Sequence, residues 1–193
     1  MMPLNKHKRW PLWPSVAALL LLFSAHLVAA QGDSKAANNR KEIDANAAAV
    51  LKEFRAMKGA EAAFGKAAGY AVFRVTKAGF GASGAGGGGV AVDKRTGART
   101  YMRMGSAGVG FTFGASRYGI VILFETPEKF AAFAKGGWDS SATAQAAAGT
   151  KSAQVSSTFF NGVAYYQIGK RGLMASADVS GTKFWVADNL NKK

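Results

Sequence analysis

A chain of 193 residues is long enough for one ordinary domain with a real hydrophobic core and short for two. It holds no cysteine, which excludes a disulfide framework. Its 25 basic against 11 acidic residues, a net charge of +14, favour anionic partners, whether phospholipid headgroups, nucleic acid or an acidic protein, beside the simpler role of a basic surface in solubility.

Lys6, Lys8 and Arg9 precede an apolar run from Val16 to Phe23, and Val28-Ala29-Ala30 offers small residues where a signal peptidase reads. Residues 1–30 are therefore expected to be a signal peptide cleaved after Ala30, and the protein to be exported, periplasmic or secreted. The run is shorter than the roughly 20 residues a bilayer span needs, which disfavours the alternative of a retained anchor. His7 and His26, the two histidines, leave with the leader, so the mature chain has no Ser-His-Asp or Cys-His nucleophile system. A zinc site would have to be all-carboxylate, and no cofactor or metal is expected. All 11 acidic residues remain after cleavage while only Lys6, Lys8 and Arg9 are lost from the basic set, so the excess persists. Export makes nucleic acid the poorest of the anionic partners.

Residues 31–40 are polar and aperiodic, a flexible lead-in to a single domain over 41–193. Ile43, Ala47, Val50, Leu51, Phe54 and Met57 then recur at helical spacing, with Lys41, Lys52, Glu53, Arg55 and Lys58 on other faces: an amphipathic helix. Gly59 interrupts it, and Ala60 to Ala68 continues as a short helical piece around Phe64. From Gly69 the period becomes two, with Ala71, Phe73 and Val75 alternating with Val72, Arg74 and Thr76.

The glycine tract "KAGFGASGAGGGGV", Lys77 to Val90, follows directly. It matches G-x-G-x-x-G twice, but a dinucleotide fingerprint needs a helix after the glycines, and here Val90-Ala91-Val92 is strand. No acidic residue follows at the right distance, and no Gly-Lys-Ser/Thr occurs, so nucleotide binding is rejected. The glycines read instead as a sharp link between strands and as places where backbone passes close to backbone.

Val90 to Val92 and Arg99 to Met104 read as a hairpin with Gly97 in its turn. Val109, Phe111 and Phe113 alternate with glycines, and Ile120 to Phe124 is a buried strand. Thr126-Pro127-Glu128 starts a helix to about Lys135, since threonine can cap, proline suits the first position and glutamate the positive dipole end. Residues 138–153 are small, polar and undecided. Gly162 to Ile168, a turn at Gly169 to Gly172, and Leu173 to Val179 form a second hairpin, and Phe184-Trp185-Val186 closes the set. The order is α+β: an N-terminal amphipathic helix, then a curved, mostly antiparallel, glycine-rich sheet or half-open barrel with one inserted helix.

FRAMKGA at Phe54 to Ala60, GYAVFRVTKAGF at Gly69 to Phe80, the glycine tract, GSAGVGFTFG at Gly105 to Gly114, VILF at Val121 to Phe124, FAAF at Phe130 to Phe133 and GKRGL at Gly169 to Leu173 together resemble the SYLF domain family. The resemblance covers roughly residues 45–187. It implies a lipid-binding domain, with phosphoinositide recognition and an amphipathic N-terminal helix in eukaryotic members, some of which bind or bundle actin. Many bacterial members are exported. This chain departs from the family at Phe73-Arg74, where Phe-Pro is usual, around Phe111-Thr112-Phe113, and at Gly149-Thr150.

The expected function is non-enzymatic peripheral binding to anionic phospholipid. Leu51 and Phe54 would insert while Lys52, Arg55 and Lys58 meet phosphates, although the same apolar face could equally pack on the sheet. Lys94, Arg95, Arg99 and Arg103 around the first hairpin, Lys170-Arg171 in the second turn and Lys77 in the glycine tract complete the candidates. A cell-envelope protein-interaction module is the alternative. Glu125, Glu128, Asp139 and Asp178 make a weak case for a two-carboxylate hydrolase. Strands shorter than the roughly 9 to 11 residues of a spanning barrel, behind a charged helix, disfavour an outer-membrane barrel.

Overall fold

The computed structural model describes residues 15–80, 82–109, 114–148, 155, 159–170, 172–173 and 181–192. The chain divides into two compact units, Met1–Ala37 and Asn38–Lys193. Helix α1 (Ser15–Arg55) begins in the first, and its described part there is helical to Ala37. Residues 31–40, expected as a flexible lead-in, are helical throughout. Apart from Gly32 no strong helix breaker stands in that stretch, and the alanines and long polar side chains on either side favour continuation.

The second unit holds the rest of α1, then α2 (Ala60–Lys66), β1 (Gly69–Phe80), β2 (Ala82–Asp93), β3 (Arg99–Val109), β4 (Gly114–Phe124), α3 (Pro127–Gly136), α4 (Ser140–Ala148), β5 (Val163–Gly169), β6 (Gly172–Leu173), β7 (Lys183–Val186) and α5 (Asp188–Asn191). The strands form one open antiparallel sheet in the order β6-β5-β4-β1-β2-β3-β7. The expected α+β class holds, with a sheet that does not close and with α4 added in the segment the sequence left undecided.

Strand alternation sends side chains to two covered faces. On one, Phe73, Met102, Met104, Ile120, Ile122, Phe124 and Tyr165 pack with Phe130 and Phe133 of α3 and with Phe184. On the other, Val72, Val90, Val121, Leu123 and Tyr166 pack with Ala47, Val50 and Phe54 of α1 and Ala60 and Ala63 of α2. The sheet is thus sandwiched between helices. Helix α3 starts as its sequence dictates: Thr126 accepts a hydrogen bond from the Lys129 amide at 3.3 Å, with Pro127 in the first position.

The glycine tract bears the expected sharp link, since Phe80 pairs with Ala82 across antiparallel β1 and β2, but most of it lies within a strand. Residues 82–93 are a regular strand, fully paired with β1 and β3. Gly87, Gly88 and Gly89 are needed for what lies beside them. A Cβ on Gly88 would stand 3.0 Å from the Ile43 side chain of α1, and one on Gly119 of β4 2.5 Å from Val50. The tract is a bare strip on which a helix lies close. The first hairpin forms as expected, with Asp93 accepting from the Arg95 and Thr96 amides at 2.8 and 3.0 Å and Gly97 at φ 73°. Of the second hairpin the structure describes Gly172–Leu173, paired with Ile168 and Gly169; residues 174–179 lie outside the described set, as do Phe111 to Phe113.

Candidate ligand-binding site

Helix α1 crosses the strands. Asp44 meets β3, where its carboxylate accepts from the Tyr101 hydroxyl at 3.0 Å and pairs with Arg99 at 2.8 Å. Val50 lies on Gly119 of β4, and Phe54 reaches Tyr166 of β5, ring centroids 5.1 Å apart. The apolar stripe 47-50-54 therefore covers the valine-rich part of its sheet face. The neighbouring part of the same face is polar, and register decides its content.

In one cross-strand row Gly119, Arg74, Gly88 and Arg103 stand side by side on β4, β1, β2 and β3. The next row holds Arg117, Thr76, Gly86 and Gly105. Because Gly86 lacks a side chain, a hollow opens over β2 between these arginines, with Ile43 of α1 packed over Gly88 beside it. The polar N-terminal side of α1 roofs it with Asn39, Glu42 and Asn46, and the cleft measures about 610 Å³. Arg74 is tied to Glu53 of α1 at 3.3 Å. Among the described residues neither Arg103 nor Arg117 has a hydrogen bond or an ion pair. A smaller cavity of about 220 Å³, lined by Leu51, Tyr70, Val72 and Arg99 among others, lies where α1 covers the valine rows. Burial raises Tyr70 above the usual phenol range; Tyr101 is raised too, first by burial and then by its bond to Asp44.

The residues expected to bind lipid do not form one patch. Phe54 is fully buried, and Leu51 is half-buried against the helix–sheet core. Lys52 and Lys58 are exposed. Arg55 is exposed and held by Glu61 at 2.7 and 3.0 Å; that bond raises the guanidinium and lowers the carboxyl. Lys94 donates to the Phe64 carbonyl at 2.7 Å and lies 4.6 Å from the Phe64 ring centroid, on which Arg55 also stacks at 5.2 Å. Arg55 and Lys94 thus converge on one aromatic ring. Arg95 is exposed in the first hairpin turn, and Arg99 is compensated by Asp44. Lys77 is half-buried on β1, and Lys170 is exposed beyond β5, toward the opposite edge of the sheet from β3. Arg171 lies outside the described residues.

Of the expected cations that are described, only Arg103 enters the cleft. Arg74, Arg117, Glu42, Asn39 and Asn46 were missed. The period-two pattern of β1 puts Arg74 with Val72 and Thr76, so its face was readable; that Arg103 and Arg117 share it depends on strand order and register. Asp139 caps α4, accepting from the Ala142 amide at 2.9 Å and the Ser141 hydroxyl at 2.8 Å. Among the described residues no cluster of His, Asp or Glu could hold a metal, and no helix is long and apolar enough to cross a membrane.

Residues 105–193 match the family model Ysc84, described as "Las17-binding protein actin regulator". A curated relative, "Beta cell expansion factor A" of Aeromonas veronii, is 38% identical over 144 residues, 75% of this chain and 55% of that protein. The chain thus spans about half the length of the curated relative it matches.

Proposed function

Because the chain belongs to the SYLF, or Ysc84, family of binding domains, we propose that it is a non-enzymatic module that binds anionic phospholipid at the periphery of a membrane after export. The observation that carries the reading is the cationic excess, placed in part on exposed side chains of α1 and the first hairpin: Lys52, Lys58 and Arg95, with Arg55 and Lys94 beside them. Clustered cations near an anionic surface contribute about 1 kcal/mol each and fade within a Debye length. With Phe54 sealed and Leu51 half-buried, the closed arrangement offers charge to the membrane rather than an apolar wedge. Headgroup preference of the phosphoinositide kind, as the family resemblance implies for eukaryotic members, is part of the same proposal.

Vesicle sedimentation tests it. The protein should pellet with anionic but not neutral vesicles at low salt, and Lys52→Gln, Lys58→Gln and Arg95→Gln together should release it. Indifference to anionic vesicles would sink the reading. Binding that survives high salt unchanged would point to α1 leaving the sheet to insert. A protein partner in the cell envelope is the second reading, favoured by two exposed large hydrophobic side chains among the described residues, Phe160 at 47% and Trp185 at 44% exposure.

A further inference from the structure

We infer that the cleft between α1 and the glycine strip is a specific site for a phosphate monoester carrying hydroxyl groups. This deepens the lipid-binding reading by assigning a site and a ligand chemistry, and it is not the exposed cationic surface on which that reading rests. Arg103 and Arg117 enter the cleft from β3 and β4, on either side of a floor left bare at Gly86 and covered by Ile43 at Gly88. Two guanidiniums without a protein acceptor, flanking a hollow, are an arrangement that an oxyanion completes. Guanidinium donors in a fixed fork match phosphate oxygens better than any other side chain.

The third arginine, Arg74, is already bonded to Glu53 at 3.3 Å, so the uncompensated charge of the floor is that of Arg103 and Arg117, which suits a dianion. A phosphate monoester carries about −1.5 to −2 at neutral pH, whereas a diester carries one charge. Opposite the arginines the roof is polar and uncharged at Asn46, with a carboxylate at Glu42. Glu42 would repel a bare phosphate but accepts from hydroxyl groups on the same ligand, and Asn46 donates to a phosphate oxygen or accepts from a hydroxyl. The volume of about 610 Å³ has room for a small phosphorylated polyol. The glycines are what make the space: a Cβ on Gly86 would have nothing nearer than the Met104 carbonyl oxygen at 3.9 Å, so it would fill the cleft rather than strain the strand.

The chemistry fits a free metabolite or a lipid such as lysophosphatidic acid, whose glycerol keeps one hydroxyl, and calorimetry with vesicle binding separates the two. Glycerol 3-phosphate should bind the purified protein more tightly than inorganic phosphate, and sulfate at the same ionic strength should not replace it. Arg103→Gln with Arg117→Gln should weaken that binding at least about tenfold, the loss of a charge-assisted hydrogen bond. Lys129→Gln with Lys135→Gln, on α3 across the sheet, removes equal charge and should leave it unchanged. Gly86→Asp, which puts a carboxylate on the floor without a clash, should abolish it, and thermal melts establish that each variant folds.

If vesicles with lysophosphatidic acid are preferred over charge-matched phosphatidylglycerol, and glycerol 3-phosphate competes, the source is a headgroup. If the soluble ligand binds and the preference is missing, the source is a free metabolite. No binding of glycerol 3-phosphate, or equal loss in both double variants, overturns the site. Anionic vesicle binding that persists while glycerol 3-phosphate fails to bind would leave the surface reading intact while the cleft fails.

Discussion

Phe54 of α1 and Tyr166 of β5 pack with ring centroids 5.1 Å apart and planes tilted by 40°, and Phe54 has no exposed surface. The ring that an amphipathic helix could offer to a bilayer closes the seam between helix and sheet instead. Phe54→Ala should lower stability by about 3 to 5 kcal/mol, as expected for a large aromatic removed from a tight core. Urea unfolding measures it, and a loss under about 1 kcal/mol would mean that α1 is not docked in solution.

The glycines of the bare strip should differ sharply in what they tolerate. A Cβ on Gly87 would run into the Arg74 carbonyl oxygen, which is backbone and cannot give way, whereas one on Gly84 would have only the Ser106 carbonyl oxygen 3.9 Å away. Gly87→Ala should cost about 1 to 3 kcal/mol, the range of overpacked sites, and Gly84→Ala should be near neutral. Thermal melts of the two variants side by side decide the point; equal effects would contradict the close pairing of β1 and β2.

Helix α3 begins at a side-chain cap, Thr126 on the Lys129 amide, so Thr126→Ala should cost about 1 kcal/mol, and Thr126→Ser much less, in urea unfolding.

Asp139 is held below the usual carboxylate range by the Ala142 amide first and the Ser141 hydroxyl second. Its contribution is therefore present above the unfolded-state pKa and lost as pH falls through the lower folded value. Asp139→Asn should flatten that part of the acid limb of a stability–pH curve.

At the alkaline end the sign reverses. Burial pushes Tyr166 up to about 12 and raises Tyr165 further. The folded protein holds these protons more tightly than the unfolded chain, so stability is intact below about 10 and declines as pH rises toward 12. Tyr166→Phe should lessen the decline between those values in denaturation series at fixed ionic strength. An unchanged slope would mean that Tyr166 is solvated.

Much of this could be read from residue order. The apolar spacing of 43-47-50-54 specifies the helix and its buried face, because a helix must bury its stripe somewhere. Thr126-Pro127-Glu128 specifies the start of α3 through local capping, and Asp93 to Gly97 the hairpin turn through its Asx and left-handed positions. The missing helix after Gly84 rules out a nucleotide loop, and residues 84–92 do continue as strand. Local rules had no means to say whether Phe54 faces lipid or protein, since one stripe satisfies both.

The cleft was legible only in fragments. Arg103 was a candidate for its charge alone, while Arg74 and Arg117 were passed over inside hydrophobic and glycine-rich strands. What unites them is the order β4-β1-β2-β3 and the register that sets Arg74 beside Gly88 and Gly88 beside Arg103. Those pairings join residues far apart in the chain and are set by packing both sheet faces at once. Sequence by itself determined most of the elements and the cationic excess; tertiary structure alone decided which cations meet, because strand order and register are properties of the whole core and not of any segment in it.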